Sequence, residues 1–152
     1  MDRAKKLKII ILAGGIFLMA AGAGTAAMHK ITGNTAFCGT CHVMDNYMAS
    51  WEHSSHREVA GCNDCHTDQR NYAAKTWSKV YAGSQHAFVN TVLTPPDHLK
   101  LYEASKPIIQ RNCLRCHDDL VAQTNLDKAE PGGKSCFDCH RSTPHGRERP
   151  ST

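Results

Sequence analysis

The chain has 152 residues, a formal charge of +4, eight cysteines, ten histidines and a mean hydropathy of −0.45. That length allows one ordinary domain plus an attachment. The basic residues are scattered without a dense stripe, which argues against a nucleic-acid-binding surface, and few leucines, isoleucines and valines follow residue 30, which argues against a large aliphatic core.

Residues 1–8 carry Arg3, Lys5, Lys6 and Lys8 against one acid, Asp2, and residues 9–28 then run for twenty positions without a charge. As a helix, that run is about 30 Å long, enough to cross the hydrocarbon of a bilayer. The cationic flank predicts a cytoplasmic N-terminus and export of the remainder. Two readings stay open. One is a retained anchor over residues 9–29. The other is a cleaved secretory signal, because Ala21-Gly22-Ala23 and Thr25-Ala26-Ala27 resemble small-residue cleavage sites and the strongest apolar run, residues 9–16, is short. Both deliver residues 30–152 to the far side of the membrane. No twin-arginine pair is present.

The exported part repeats one pentapeptide, Cys-x-x-Cys-His. Its four copies are Cys38-Gly39-Thr40-Cys41-His42, Cys62-Asn63-Asp64-Cys65-His66, Cys113-Leu114-Arg115-Cys116-His117 and Cys136-Phe137-Asp138-Cys139-His140. Two thiols at this spacing add across the two vinyl groups of one porphyrin, and the adjacent imidazole turns back onto the iron; this is the c-type haem attachment pattern. The copies use every cysteine, leaving none for a disulfide. A four-cysteine zinc site needs no histidine after the second cysteine, and a thioredoxin-like redox pair would need one motif near a βαβ pattern, which is absent. Four haems would add about eight propionate charges, so the loaded protein is near neutral or mildly acidic. They would also supply the missing core. The expected fold is mostly α with much irregular chain: one N-terminal transmembrane helix plus a compact, haem-wrapped tetrahaem domain that folds only with its cofactors.

Cys38 and Cys62 lie 24 positions apart, Cys113 and Cys136 lie 23 apart, and 51 positions separate the two pairs. The domain therefore reads as one unit doubled, in two paired-haem halves. Between the pairs, Ala73, Trp77, Val80, Ser84 and Phe88 recur at helical spacing, predicting a helix over residues 71–91. Lys75, Lys79, Ala82 and His86 share the opposite face. Thr94-Pro95-Pro96-Asp97 predicts a turn, residues 101–111 a short helix broken early by Pro107, and residues 123–135 a surface loop. The tail from Arg141 is expected to hold little structure beyond any anchored histidine.

Outside the motifs stand His29, His53, His56, His86, His98 and His145. Four bis-histidine haems would need four of these six, and spacing does not choose among them. Met44, two residues after His42, is either a thioether ligand, which raises haem potential relative to a second imidazole, or a packing residue.

The basic N-terminus, the single apolar segment, the paired motifs, Cys-x-x-Cys-His-x-Met at the first motif, Ser55-His56 before the second and His145 after the fourth resemble the NapC/NirT family of membrane-anchored quinol dehydrogenases. Within it they resemble the small tetrahaem subunits that serve cytochrome c nitrite reductase. The resemblance implies that Met44 binds the first iron in place of His42. It implies that His66, His117 and His140 are proximal ligands and that His56 and His145 are distal ones. One further haem would take its sixth ligand from a partner. Lys79 and Lys75 would face a quinol pocket, and residues 9–29 would remain as the anchor. The family keeps an aspartate where this chain has His86. Three roles for His86 follow: proton acceptor, first-iron ligand, or bystander.

The function so implied is oxidation of menaquinol at Lys79, His86 and Lys75, with electrons passed singly through the haems to a periplasmic multihaem reductase of the nitrite reductase large-subunit type. The protein would sit in the inner membrane as a single-pass protein with its haem domain on the periplasmic side. A soluble periplasmic tetrahaem carrier, formed by signal cleavage, is the competing reading. A quinol dehydrogenase for another oxyanion reductase is a second, and a haem enzyme reducing an oxyanion beside the basic tail, residues 141–149, is a third. The thin protein shell argues against the last.

Overall fold

In an apolar medium every backbone N–H and C=O must be satisfied within its own segment, which a continuous helix achieves. The computed structural model, which describes residues 2–94, 99–123 and 134–146, opens on such a helix. Helix α1, Arg3–Gly33, has a mean hydropathy of 2.1 over its most apolar 18 residues. It extends past both ends of the expected span, residues 9–29. Ile10, Leu12, Phe17 and Leu18 are all exposed, so the helix is apolar around its circumference, as a lipid-facing helix is.

Asn34 makes the junction to the rest of the chain. Its N–H donates to the Ile31 carbonyl, and its side chain accepts the Ala36 N–H at 3.0 Å, ending α1 and capping α2, Thr35–Cys38. A 3₁₀ turn over His42–Met44 leads into α3, Asp45–Glu52. Helix α4 is Cys62–His66, α5 is Tyr72–Val92, α6 is Lys106–Val121 and α7 is Cys136–Cys139. No strand occurs among the described residues.

The expected helix over residues 71–91 is α5, capped by the Asn71 side chain accepting the Ala74 N–H at 2.8 Å. Its packing reverses that of an ordinary soluble helix. Trp77, Tyr81 and Phe88 are exposed, while Lys79 is the buried residue of the helix. The short helix expected over residues 101–111 is corrected. Residues Glu103–Ser105 form a 3₁₀ turn, and α6 starts at Lys106 with Pro107 in its first turn. There the missing proline N–H costs no hydrogen bond and its fixed φ favours helix, so Pro107 starts the helix instead of breaking it. The third motif consequently lies inside a continuous helix. Most of the expected 94–97 turn and of the 123–135 loop, together with His98 and the tail beyond Gly146, falls outside the described residues.

Among the described residues no apolar side chain is buried; the buried ones are Thr67, Asp68, Lys79, Gln110 and Asn112. Polar pins hold the domain instead. Asn112 donates from one side-chain nitrogen to the carbonyls of Cys65 and Thr67, both at 2.8 Å. Gln110 accepts the Cys136 N–H at 2.8 Å. Asp68 takes a bidentate contact from Arg70 and a longer one from Arg111, which holds its carboxyl below the usual range, with the Arg70 hydrogen bond as the main cause. Asn63 donates to the Thr32 carbonyl at 2.7 Å, fastening α4 to the end of α1.

The α2–α4 joint leaves no room at Gly61. A Cβ there would lie 2.7 Å from the Thr35 hydroxyl, whereas one at Gly83 on α5 would meet nothing within 4 Å. Gly61→Ala is therefore expected to destabilise by about 1–3 kcal/mol through overpacking. Gly83→Ala is expected to stabilise by about 0.4–1 kcal/mol through the unfolded chain. Thermal unfolding followed by circular dichroism checks the opposite signs.

Candidate haem and quinol sites

The second motif of each half begins its own short helix and caps it. Asp64 accepts the Gly61 N–H at 2.9 Å, and Asp138 accepts the Ser135 N–H at 2.7 Å. The aspartate between the two cysteines is thus what makes each Cys-x-Asp-Cys-His a helical turn, with the two thiols on one side. The first motifs of the halves differ. Cys38 ends α2 before Gly39, whereas Cys113, Cys116 and His117 belong to α6.

The cysteines meet in the order of their motifs. Cys38 and Cys62 share a thiol hydrogen bond, which raises Cys38 and lowers Cys62 to about 6. Cys62 is the readier thiolate because Thr35 and the backbone at the start of α4 also donate to it. Cys113 pairs in the same way with Cys136, and burial first, then the Cys136 charge, pushes Cys113 up to about 11. Between the two pairs, Cys65 is raised by burial first and also feels Cys116. Across this junction Arg115 of the third motif faces Asp64 of the second at 3.6 Å. The result is a chain of neighbours, first motif to second, second to third, third to fourth.

Two imidazole pairs accompany it. His66 and His145 have ring centroids 5.9 Å apart, and His56 and His117 6.2 Å apart. Two metal–nitrogen bonds of about 2 Å, with half a ring beyond each, place imidazoles sharing one metal about 6 Å apart. Both pairs fit that span. Burial, then the charges of His145 and His86, lowers His66 to about 4, and burial lowers His145. Burial thus favours the neutral form of both rings, the form that ligates. Cys62, Cys65, His66 and His145 line one cavity with Trp51, His56 and Pro144. This brings the thiols of one motif and two imidazoles around a single space, and the donor set fits a haem.

At the first motif, His42 Nδ1 lies 2.7 Å from Asp45 on the surface, and the Met44 N–H donates to the Cys41 carbonyl in a tight turn. His140 is exposed at the end of α7, and no second imidazole packs on it among the described residues. His53 hydrogen-bonds the Ala49 carbonyl at 2.7 Å on the surface.

Lys79 and Lys75 come together in a cleft of about 320 Å³, whose other lining residues are His29, Gly33, Asn63, Asp64 and Tyr72. The Lys79 ammonium donates to Thr32 Oγ1 at 3.2 Å and to the His29 carbonyl at 3.4 Å. Burial, with the Lys75 charge behind it, lowers its pKa. His86, exposed two turns further along α5, is not among the residues lining this cleft and lies within electrostatic reach of His66. The cleft adds His29, Tyr72 and Asp64 to the expected lysines. Their only sequence signal was the position of His29 at the end of the apolar helix.

The family model for the NapC/NirT cytochrome c family, N-terminal region, matches residues 1–151. The chain belongs to the NapC/NirT cytochrome c family. Cytochrome c-type protein NrfH of Wolinella succinogenes is 34% identical over 96% of this chain and 87% of its own length. Cytochrome c nitrite reductase subunit NrfH of Nitratidesulfovibrio vulgaris is 33% identical over 95% and 87%. A crystal structure of the cytochrome c nitrite reductase NrfHA complex bound to the HQNO inhibitor has a chain that superposes with a TM-score of 0.68 and 32% identity, covering 93% of both chains. Membership of this family makes haem c the cofactor and the N-terminal apolar helix a membrane helix.

Asn112 and Arg115 each make two contacts across the same junction, Arg115 to the Asp64 carbonyl at 3.3 Å and to its carboxylate at 3.6 Å. Asn112→Ala strands two backbone acceptors in a buried site and is expected to cost about 1–3 kcal/mol. Arg115→Ala removes a largely exposed ion pair and is expected to cost under about 1 kcal/mol. Denaturant unfolding of the haem-loaded protein separates the two.

Proposed function

We propose that this protein is the membrane-anchored, quinol-oxidising haem c subunit of a nitrite reductase complex. In this reading it carries four haems and takes electrons from menaquinol. The observation that carries the proposal is the placement of the Lys75–Lys79 cleft. It opens where α1 ends, and it shares Asn63 and Asp64 with the second motif, whose Cys62 meets Cys38. A quinol confined to the bilayer thus reaches a cationic pocket beside the first two motifs without leaving the membrane surface.

The residues divide the work as follows. Cys38 and Cys41, Cys62 and Cys65, Cys113 and Cys116, and Cys136 and Cys139 hold one porphyrin each. Met44 would hold the first iron while Asp45 engages His42. His66 with His145, and His117 with His56, would hold the second and third irons. His140 would hold the fourth, with a further ligand supplied by a partner. Haem c, once bound, supplies one-electron relay centres whose potentials follow axial ligand and burial. Lys79 and Lys75 hold the quinol oxygen and favour its anionic form, since opposite charge favours the ionised state of an acid. His86 belongs to the surroundings of the second motif. The partner is the periplasmic catalytic subunit of the nitrite reductase, and the haem domain, residues 30–152, faces the periplasm. Residues 9–29 lie in the inner membrane.

Lys79→Gln is expected to slow menaquinol-dependent haem reduction in vesicles at least tenfold, with reduction by dithionite unchanged. Reduction of the Lys79→Gln and Lys75→Gln variants at the unaltered rate would remove the cleft from the account. His145→Ala is expected to convert one haem of the set from low to high spin in its visible spectrum, and His53→Ala none.

A further inference from the structure

We propose that His29 accepts the quinol proton. This rests on the quinol reading of the cleft and assigns a catalytic residue within it. Of the lining residues, Lys75 and Lys79 are cations and cannot take a proton. Asp64 is committed twice, to the Gly61 N–H at 2.9 Å and to Arg115 at 3.6 Å. The Asn63 amide is not basic and holds the Thr32 carbonyl. Tyr72 is itself a weak acid, and Gly33 has no side chain. His29 remains.

The hydrogen bonds around it set its tautomer. The Thr76 hydroxyl has one proton and donates it to the Tyr72 carbonyl at 2.8 Å. His29 Nε2 lies 2.7 Å from the same hydroxyl. Both contacts are satisfied together only by the tautomer with the proton on Nε2 and the lone pair on Nδ1, which is the tautomer this proposal uses. Tyr72 packs on the ring with centroids 4.9 Å apart and planes inclined by 36°, holding it against α5. The charged and titratable groups that line the cleft with the ring are Tyr72, Lys75 and Lys79 on α5, and Asp64 on α4.

In the step itself the quinol O–H bond breaks and an Nδ1–H bond forms. The bonding electron pair stays on oxygen, giving a quinolate whose charge Lys75 and Lys79 offset. Haem c held by Cys38 and Cys41 would supply the one-electron oxidant for that anion, and the imidazolium releases its proton to water at the rim of the cleft. His29 stands about one turn from the end of the membrane helix, so the acceptor sits where a bilayer-borne quinol arrives.

The test uses full-length, haem-loaded protein in vesicles with a short-chain menaquinol, following haem reduction by stopped flow. His29→Ala is expected to slow reduction at neutral pH by about 100-fold or more, in the range of general-base catalysis. Dithionite should still reduce every haem, added imidazole should restore much of the rate, and the fall in rate at acid pH expected of the unaltered protein should be absent from the variant. A slow variant that imidazole does not rescue and whose pH profile is unchanged assigns His29 a structural role and overturns the proposal. So does a variant at the unaltered rate alongside a slow Lys79→Gln, which leaves the cleft standing. If Lys75→Gln, Lys79→Gln and His29→Ala all keep the unaltered rate, the quinol reading of the cleft falls, and this proposal with it.

Discussion

The five residues of α4 carry more of this structure than any aliphatic cluster does. Asn112 holds the Cys65 and Thr67 carbonyls from α6, Asn63 reaches back to the Thr32 carbonyl at the end of the membrane helix, and Asp64 caps its own helix while facing Arg115. The residues between the cysteines of the second motif are therefore its couplings to the membrane helix and to the third motif. A buried amide that satisfies two carbonyls tolerates no substitute without leaving acceptors bare. With no apolar side chain buried among the described residues, such pins set the distance between motifs, and the porphyrins supply the apolar mass they enclose.

That architecture suits electron transfer from a membrane pool. Each pair of neighbouring cysteines belongs to consecutive motifs, so position along the chain becomes position along the relay. The cleft lies at the membrane end and the exposed His140 at the other. The buried Lys79 and the outward aromatic residues of α5 follow from the same arrangement. A helix that borders a polar cleft turns its lysine inward, and Trp77 and Tyr81 face outward near the end of α1, in the manner of interfacial aromatics.

Much of this was legible in the residues alone. The pentapeptide signals its chemistry because both thiols and the imidazole are needed at fixed spacing. The apolar run declares its length, and Asn71 and the 3.6-residue period bounded α5 closely. What escaped depended on tertiary partners. Pro107 reads as a breaker until the start of α6 is known. Periodicity identifies two faces of α5, but which one is buried depends on what lies beside it. His29 is one of six unassigned histidines until Thr76 and Tyr72 are placed against it. The pairing of His56 with His117 and of His66 with His145 joins residues far apart in sequence, which no local pattern encodes.

The central claim is that one membrane-attached chain organises four haems around polar pins. The intact mass of the protein extracted from membranes tests it most directly. The account predicts a single species retaining residues 1–30 and carrying four haem additions. A mature chain cleaved near Ala23 or Ala27, or one with fewer than four haems at full occupancy of the sample, would contradict it.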